Sequence, residues 1–275
     1  MTDDRIRKKF FFYPRHSISC HGAGFTLVEM SIVLVVIGLI ILIVFPALNA
    51  VRTNAQRSAT DTNLQALLRA TAAFAQANGC LPCPTPADIY GSGFGRVRGD
   101  TVTAACNVCN SPEGIPPFVS LGVPMSMAKD GWGRWITMRV DPALTVSSMA
   151  GIIPSGQVGL CAANLNKANR IGIVVPGGAT QAAAVIFVSH GPNGYGSYAA
   201  NPLSGDSNGW RLSFPSGTTA CASGGYERCN ADGDLTFYNA PSVFGGNNPF
   251  DDILLFLDRN ALVSLFGNGS CQTAW

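Results

Sequence analysis

Residues 30–51 read MSIVLVVIGLIILIVFPALNAV, twenty-two consecutive positions without an ionisable group. A membrane-spanning helix needs about 20 apolar residues to cross a hydrocarbon core about 30 Å thick, and a buried core helix is normally shorter, so this stretch reads as a transmembrane helix. Glu29 is the only charged residue between Phe25 and Val51. Five basic residues, Arg5, Arg7, Lys8, Lys9 and Arg15, precede the run, and only Arg52 and Arg57 follow it closely. The bias places the N-terminus in the cytoplasm and the chain from about Arg52 onward outside.

Downstream of the run, Leu64, Leu67, Leu68, Phe74 and Ala75 recur mostly three and four residues apart, with Asp61, Gln65, Arg69 and Gln76 on the other side. The helix therefore continues as an amphipathic one over residues 52–78. Asn78-Gly79 supplies its stop, and Pro82 and Pro84 prevent resumption. The composition then changes, because 28 of the 31 glycines and 15 of the 17 prolines lie between Gly79 and Trp275. Short strands separated by turns are predicted at Trp135–Val140, Ile171–Val175, Ala184–Ser189, Trp210–Phe214 and Leu235–Tyr238. Ile253–Leu257 is either a strand or the lead into a helix ending near Phe266. The expected fold is α+β: a long N-terminal helix packed on a glycine-rich, disulfide-braced antiparallel sheet, each covering the other's apolar side.

The whole chain narrows the function classes. Nearly half of its 275 residues are hydrophobic, which allows a core and argues against disorder, while only 12% are charged. The net charge of +2 comes from the first 24 residues; without them thirteen basic face fourteen acidic residues. Such a balance gives no footprint for a polyanion, so no nucleic-acid partner is expected. Nine cysteines would be hard to explain in a reducing cytosol without a metal. With Cys20 set aside in a leader, Cys80, Cys83, Cys106, Cys109, Cys161, Cys221, Cys229 and Cys271 remain as disulfide candidates in an oxidising compartment.

The stretch Gly24-Phe25-Thr26-Leu27-Val28-Glu29-Met30, followed by the apolar run, resembles the N-terminal junction of type IV pilins and type II secretion pseudopilins. There a basic leader ends in glycine, phenylalanine follows, and a glutamate stands fifth after the cut. The resemblance implies removal of residues 1–24 by the prepilin peptidase between Gly24 and Phe25, and N-methylation of Phe25 by the same enzyme. It also implies a transmembrane half-helix over 25–51, an exterior, periplasmic domain over 79–275, and an inner-membrane assembly platform that builds subunits into a filament. Glu29 is costly in lipid, and the free amine of Phe25 on a neighbouring subunit would neutralise it. Pro46 falls where many family members carry a helix-bending proline, and removing one helical hydrogen bond there predicts a kink. Asp130-Gly131-Trp132-Gly133-Arg134, the segment Ser189 to Tyr195, and Asp251-Asp252-Ile253 are similar to pseudopilin fold markers. The size of the exterior domain favours a minor or specialised subunit.

Other constellations compete with a purely structural role. Cys80-x-x-Cys83 and Cys106-x-x-Cys109 have nearly the spacing of a zinc ribbon, but outside the membrane they read as disulfides. Cys80-Leu81-Pro82-Cys83 imitates a redox pair, yet it follows a helix end instead of opening a helix. Cys221 with Cys229 is a plausible local bridge, and Cys271 would tie down the tail. Asn230-x-Asp232-x-Asp234 offers alternating oxygen ligands, and some pseudopilins bind calcium in a loop; the EF-hand pattern fails for want of its glycine and glutamate. His190 is the only histidine after the leader and has no Gly-x-Ser-x-Gly elbow for company. No cofactor and no catalytic residue are expected. The leading reading is a non-enzymatic filament subunit with lipid and other subunits as partners. The alternatives are a tip module that captures an exoprotein, a surface or DNA, and a secreted enzyme with an ordinary signal peptide cut near residues 46–50.

Overall fold

The computed structural model describes residues 26–86, 94–97, 106, 108–109, 111–146, 160, 171–198 and 211–264. The leader with Gly24 and Phe25, and Cys161, Trp210, Phe266 and Cys271, lie outside them. The chain divides into two units, Met1–Val51 and Arg52–Trp275.

Helix α1 runs from Leu27 to Asn78. In the first unit its described side chains are exposed on every side, with Leu34 at 65% and Leu42 at 72%. Counted over the described residues alone, no helix is long and apolar enough to cross a membrane. The described part of the apolar run is interrupted at Ile43, Pro46 and Ala47, whose side chains lie outside those residues. The helix assignment is continuous through position 46.

In the second unit, α1 buries Leu64, Leu67, Leu68, Ala72 and Ala75 and leaves Asp61, Gln65 and Arg69 exposed, as the spacing requires. It closes where expected: Gly79 takes a positive φ of 72° and donates its N–H to the Ala75 carbonyl at 2.8 Å.

The domain is α+β, and its described residues form two sheets instead of the single sheet expected. The larger has four strands in the order β1 (Glu113–Gly114), β2 (Thr137–Val140), β5 (Val185–Ser189) and β7 (Ile253–Leu257), all antiparallel. The smaller places β3 (Ile171–Val174) between β4 (Gln181–Ala183) and β6 (Thr236–Tyr238). Its β3–β6 pair is parallel, which an all-antiparallel expectation missed. Two short α-helices, α2 (Tyr226–Cys229) and α3 (Arg259–Ser264), also lie among the described residues. The expected strand at Trp210–Phe214 is absent among the described residues; Arg211 makes only an isolated bridge to Tyr198.

The period of two along a strand explains the layering. Met138, Val140, Val185, Phe187, Leu255 and Leu257 of the large sheet join the core that holds the apolar stripe of α1. The alternate residues Ile186, Val188, Leu254 and Phe256 meet Ile171, Ile173 and Phe237 of the small sheet. Both faces of the large sheet are thus covered, by a helix on one side and a second sheet on the other. A smaller cluster stacks Phe118 on Trp135, ring centroids 5.9 Å apart.

Among the described residues, three disulfides hold the loops. Cys80–Cys106 and Cys83–Cys109 have Cα separations of 5.8 and 5.5 Å, and Cys221–Cys229 has one of 4.9 Å. The bridges consume all four sulfurs of the zinc-ribbon pattern. Cys80 and Cys83 bond to different partners, so they are not a redox pair.

Candidate functional site

The three stretches that the sequence marks separately, 130–134, 189–195 and 251–252, come together at one place. Asp130 Oδ1 accepts the backbone N–H groups of Trp132 and Arg134, both at 2.9 Å, which fixes the tight turn. Its Oδ2 accepts the hydroxyl of Ser189 at 3.0 Å, tying the turn to the end of β5. The same turn sits on α1: Gly131 donates its N–H to Thr60 Oγ1 at 2.9 Å, and a side chain at 131 would collide with the Gln56 backbone. Arg134 reaches across to donate to the carbonyls of Gly191 and Pro192. Asn193 donates its N–H to Asp251 Oδ2 at 3.1 Å, which joins the loop after β5 to the start of β7.

Behind this loop lies a buried polar layer. His190 has no exposed surface; Thr137 Oγ1 lies 3.1 Å from its Nε2, and Asp252 Oδ1 lies 3.4 Å from its Nδ1. Burial, assisted by the nearby charge of Arg211, pushes the His190 pKa down to about 3, so the ring is neutral at ordinary pH. Hydroxyl, imidazole and carboxylate stand in the order of a catalytic triad, with the ring out of contact with solvent.

Beside His190, Glu227, Asp251 and Asp252 converge. Each offers one carboxylate oxygen, and these atoms lie within 4.8 Å of one another. Glu227 is 1% exposed, Asp251 4% and Asp252 7%. Both Glu227 oxygens, Asp251 Oδ1 and Asp252 Oδ1 lack a partner in hydrogen-bond geometry. Asp252 Oδ2 does accept from Asn230 Nδ2 at 2.8 Å, and the Asn193 side chain favours the ionised form of Glu227. Burial dominates nonetheless and, with mutual repulsion, raises Glu227 to about 8 and Asp251 to about 6; burial raises Asp252 to about 8.

A group of unpartnered buried carboxylate oxygens has two ways of avoiding the cost of isolated charge: protonation, or a cation. An all-oxygen donor set with up to three negative charges suits a hard divalent ion, calcium above all, with water or backbone carbonyls completing the shell. The residues present therefore fit such an ion.

This is not the calcium loop read from the sequence. Asn230 turns inward, where its Oδ1 accepts the Tyr238 N–H at 2.7 Å and its Nδ2 is shared by the Tyr238 carbonyl and Asp252. Asp232 and Asp234 are exposed, and each accepts a backbone N–H two residues ahead, as turn residues do. Glu227 went unnoticed in the sequence. It is one of only three glutamates, and it lies inside the short loop that Cys221–Cys229 closes. A lone carboxylate there gives no spacing pattern from which to read a ligand.

In the first unit, Glu29 has a partner that the sequence reading also overlooked. Its Oε2 accepts the Thr26 N–H at 2.8 Å and the Thr26 hydroxyl at 3.0 Å, while its own N–H donates to Thr26 Oγ1 at 3.2 Å. Thr26-x-x-Glu29 is a capping box at the start of α1.

No family model matches the chain, no curated protein is similar to it, and no solved structure matches its fold.

Proposed function

We propose that the chain is a filament subunit of the type IV pilin or pseudopilin kind, a minor or specialised one, that works by assembly and not by catalysis. Prepilin peptidase cuts between Gly24 and Phe25 and methylates the new amine. The apolar half of α1 holds the subunit in the inner membrane, its domain on the periplasmic side, until an assembly platform draws it into the polymer. The observation that carries this reading is a helix half whose Leu, Ile and Val side chains stand exposed all round. Leaving one such side chain in water forfeits roughly 1.5–3 kcal/mol, so that half requires lipid or neighbouring helices as its surroundings. A cation in the Glu227, Asp251 and Asp252 cluster would lock the exterior domain at the junction of β5, α2 and β7.

Mass spectrometry of the membrane-purified protein tests the processing: N-methylated Phe25 is expected as the first residue, and only when the prepilin peptidase is present. An uncut Met1, or a soluble species beginning beyond Val51, overturns the reading. Two variants separate the roles of Glu29. Glu29→Gln keeps a capping side chain but loses the charge, whereas Glu29→Ala loses both; both are expected to insert and to assemble poorly. Wild-type filament incorporation of Glu29→Gln would leave capping as the residue's whole role and remove the pairing with a neighbour's Phe25 amine.

A second reading, a binding module carried at a filament tip, is favoured by one feature, a cleft of about 520 Å³ beside the carboxylate cluster.

A further inference from the structure

The cleft opens between three loops: 192–195 after β5, 215–218, and the hairpin tip 243–249. Its walls are of two kinds. Tyr195, Phe244 and the prolines 192, 215 and 249 give apolar surface of little internal freedom. Asn193, Asn247, Ser216, Thr218 and Asp251 give amide, hydroxyl and carboxylate groups. Among the described residues no lysine or arginine lines it, whereas the acidic Asp251 does.

The walls are held in place from behind. Val243 and Phe250 exchange backbone hydrogen bonds of 2.7 and 2.8 Å, which closes the hairpin, and Gly245 and Gly246 take the positive φ of its tip. The Asn247 carbonyl accepts the Thr219 N–H at 2.8 Å and the Thr219 hydroxyl at 2.9 Å, so the backbone under the Asn247 amide is fixed. Asn193 Oδ1 accepts the Tyr195 N–H at 2.9 Å, and Tyr195 leans on Phe214 with ring centroids 6.0 Å apart. Phe244 is 67% exposed, yet its ring lies under the Arg57 guanidinium, 5.8 Å from the centroid.

The chemistry of these walls selects among ligands. A phosphate or nucleic acid needs cations that the lining lacks and would face the Asp251 carboxylate. An apolar side chain would leave the amides and hydroxyls unpaired, which costs affinity. A flat molecule with a C–H face and a rim of hydroxyls satisfies both walls at once: the face packs on an aromatic ring, and each hydroxyl both donates and accepts among amide, carboxylate and hydroxyl partners. The volume lies within the range of small-molecule sites. We propose that this cleft binds a neutral pyranose unit of a saccharide, stacked on Phe244 or Tyr195 and hydrogen-bonded by Asn247 and Asn193. The inference deepens the binding-module reading and does not depend on filament assembly.

Saturation-transfer NMR on the full chain in lipid nanodiscs tests it, since maltoside detergents would carry the ligand's own chemistry. The probes are methyl α-glucopyranoside, methyl β-galactopyranoside and N-acetylglucosamine at millimolar concentration. Transfer to at least one is expected, with an apparent affinity about tenfold weaker in Phe244→Ser and in Asn247→Ala. Both positions are exposed, so neither change threatens folding. Absence of transfer to all three probes overturns the inference, as does wild-type transfer in both variants. Binding only of a sulfated or sialylated sugar also overturns it, because an anionic ligand contradicts the charge of the cleft. An uncut Met1 would sink the filament reading and leave this result standing.

Discussion

Glu227 carries a carboxylate that burial disfavours more strongly than the Asn193 side chain relieves. It must either hold a proton or face a cation, and replacing it distinguishes the two. Glu227→Gln keeps the shape, removes the charge and withdraws a strong ligand. In chelator the variant is expected to be at least as stable as the wild type, by up to about 1 kcal/mol, since a buried amide is cheaper than a buried unpaired carboxylate. Millimolar calcium should raise the melting temperature of the wild type and leave that of the variant unchanged. Thermal denaturation in EGTA and in calcium chloride measures both, and an equal calcium response in the two proteins would end the assignment. Glu29 makes a different point at the same scale. In sequence it reads as a lone charge in an apolar run; in the structure it closes the first turn of its own helix through Thr26.

Among the elements, the end of α1 is the most constrained. Gly79 turns the chain, Leu81 donates its N–H to the Leu144 carbonyl at 2.8 Å, and two disulfides follow three residues apart. Each spans 26 residues and fastens the segment after the helix to the segment before β1. Cys83 and Cys109 lie inside the same apolar core as Leu67 and Phe187, so that bridge also fixes the chain against the helix–sheet packing. Replacing both Cys83 and Cys109 by alanine is expected to cost about 3 kcal/mol, because a closed loop of this size restricts the unfolded chain by that order. Urea denaturation reads the loss. Peptide mapping without reductant should recover Cys80 with Cys106 and Cys83 with Cys109, and a Cys80–Cys83 peptide would contradict the arrangement.

For the molecule as a whole, the buried titratable groups give stability a defined dependence on pH. Glu227, Asp251 and Asp252 have folded-state pKa values raised to about 8, 6 and 8. Their contribution is full below the ordinary carboxylate range and is lost as pH rises through those values. His190, lowered to about 3, contributes fully above its ordinary value of 6.5 and loses that contribution as pH falls. The two trends overlap at acid pH, but between roughly 6.5 and 8 the carboxylates act almost alone. Without divalent ions the melting temperature of the protein should therefore fall across that interval. Calcium, which replaces the protons, should remove the fall or reverse it. A melting temperature that is flat in EGTA from 6.5 to 8 would mean that the cluster does not carry the charge described.

What could be read from the chain alone rests on local rules. An uninterrupted apolar run, a spacing of three and four residues after it, and a glycine stop determine α1, because helix period and capping are decided within a few residues. Alternating β-branched and aromatic residues likewise marked β2, β3, β5 and β6 to within a residue or two, and left β7 open between a strand and the lead into a helix. The two-residue β1 and the Gln-Ala-Ala of β4 carry no such signal, and only pairing with a neighbour makes them strands. The split into two sheets and the parallel β3–β6 pair belong to contacts between distant segments, which no local pattern specifies. The carboxylate cluster is of the same kind. Asp251 and Asp252 were visible as a motif, but Glu227 joins them only because α2 packs beside β6 and the Cys221–Cys229 bridge holds it there. Burial, which turns three ordinary acids into a candidate cation site, exists only once the tertiary structure has removed them from water.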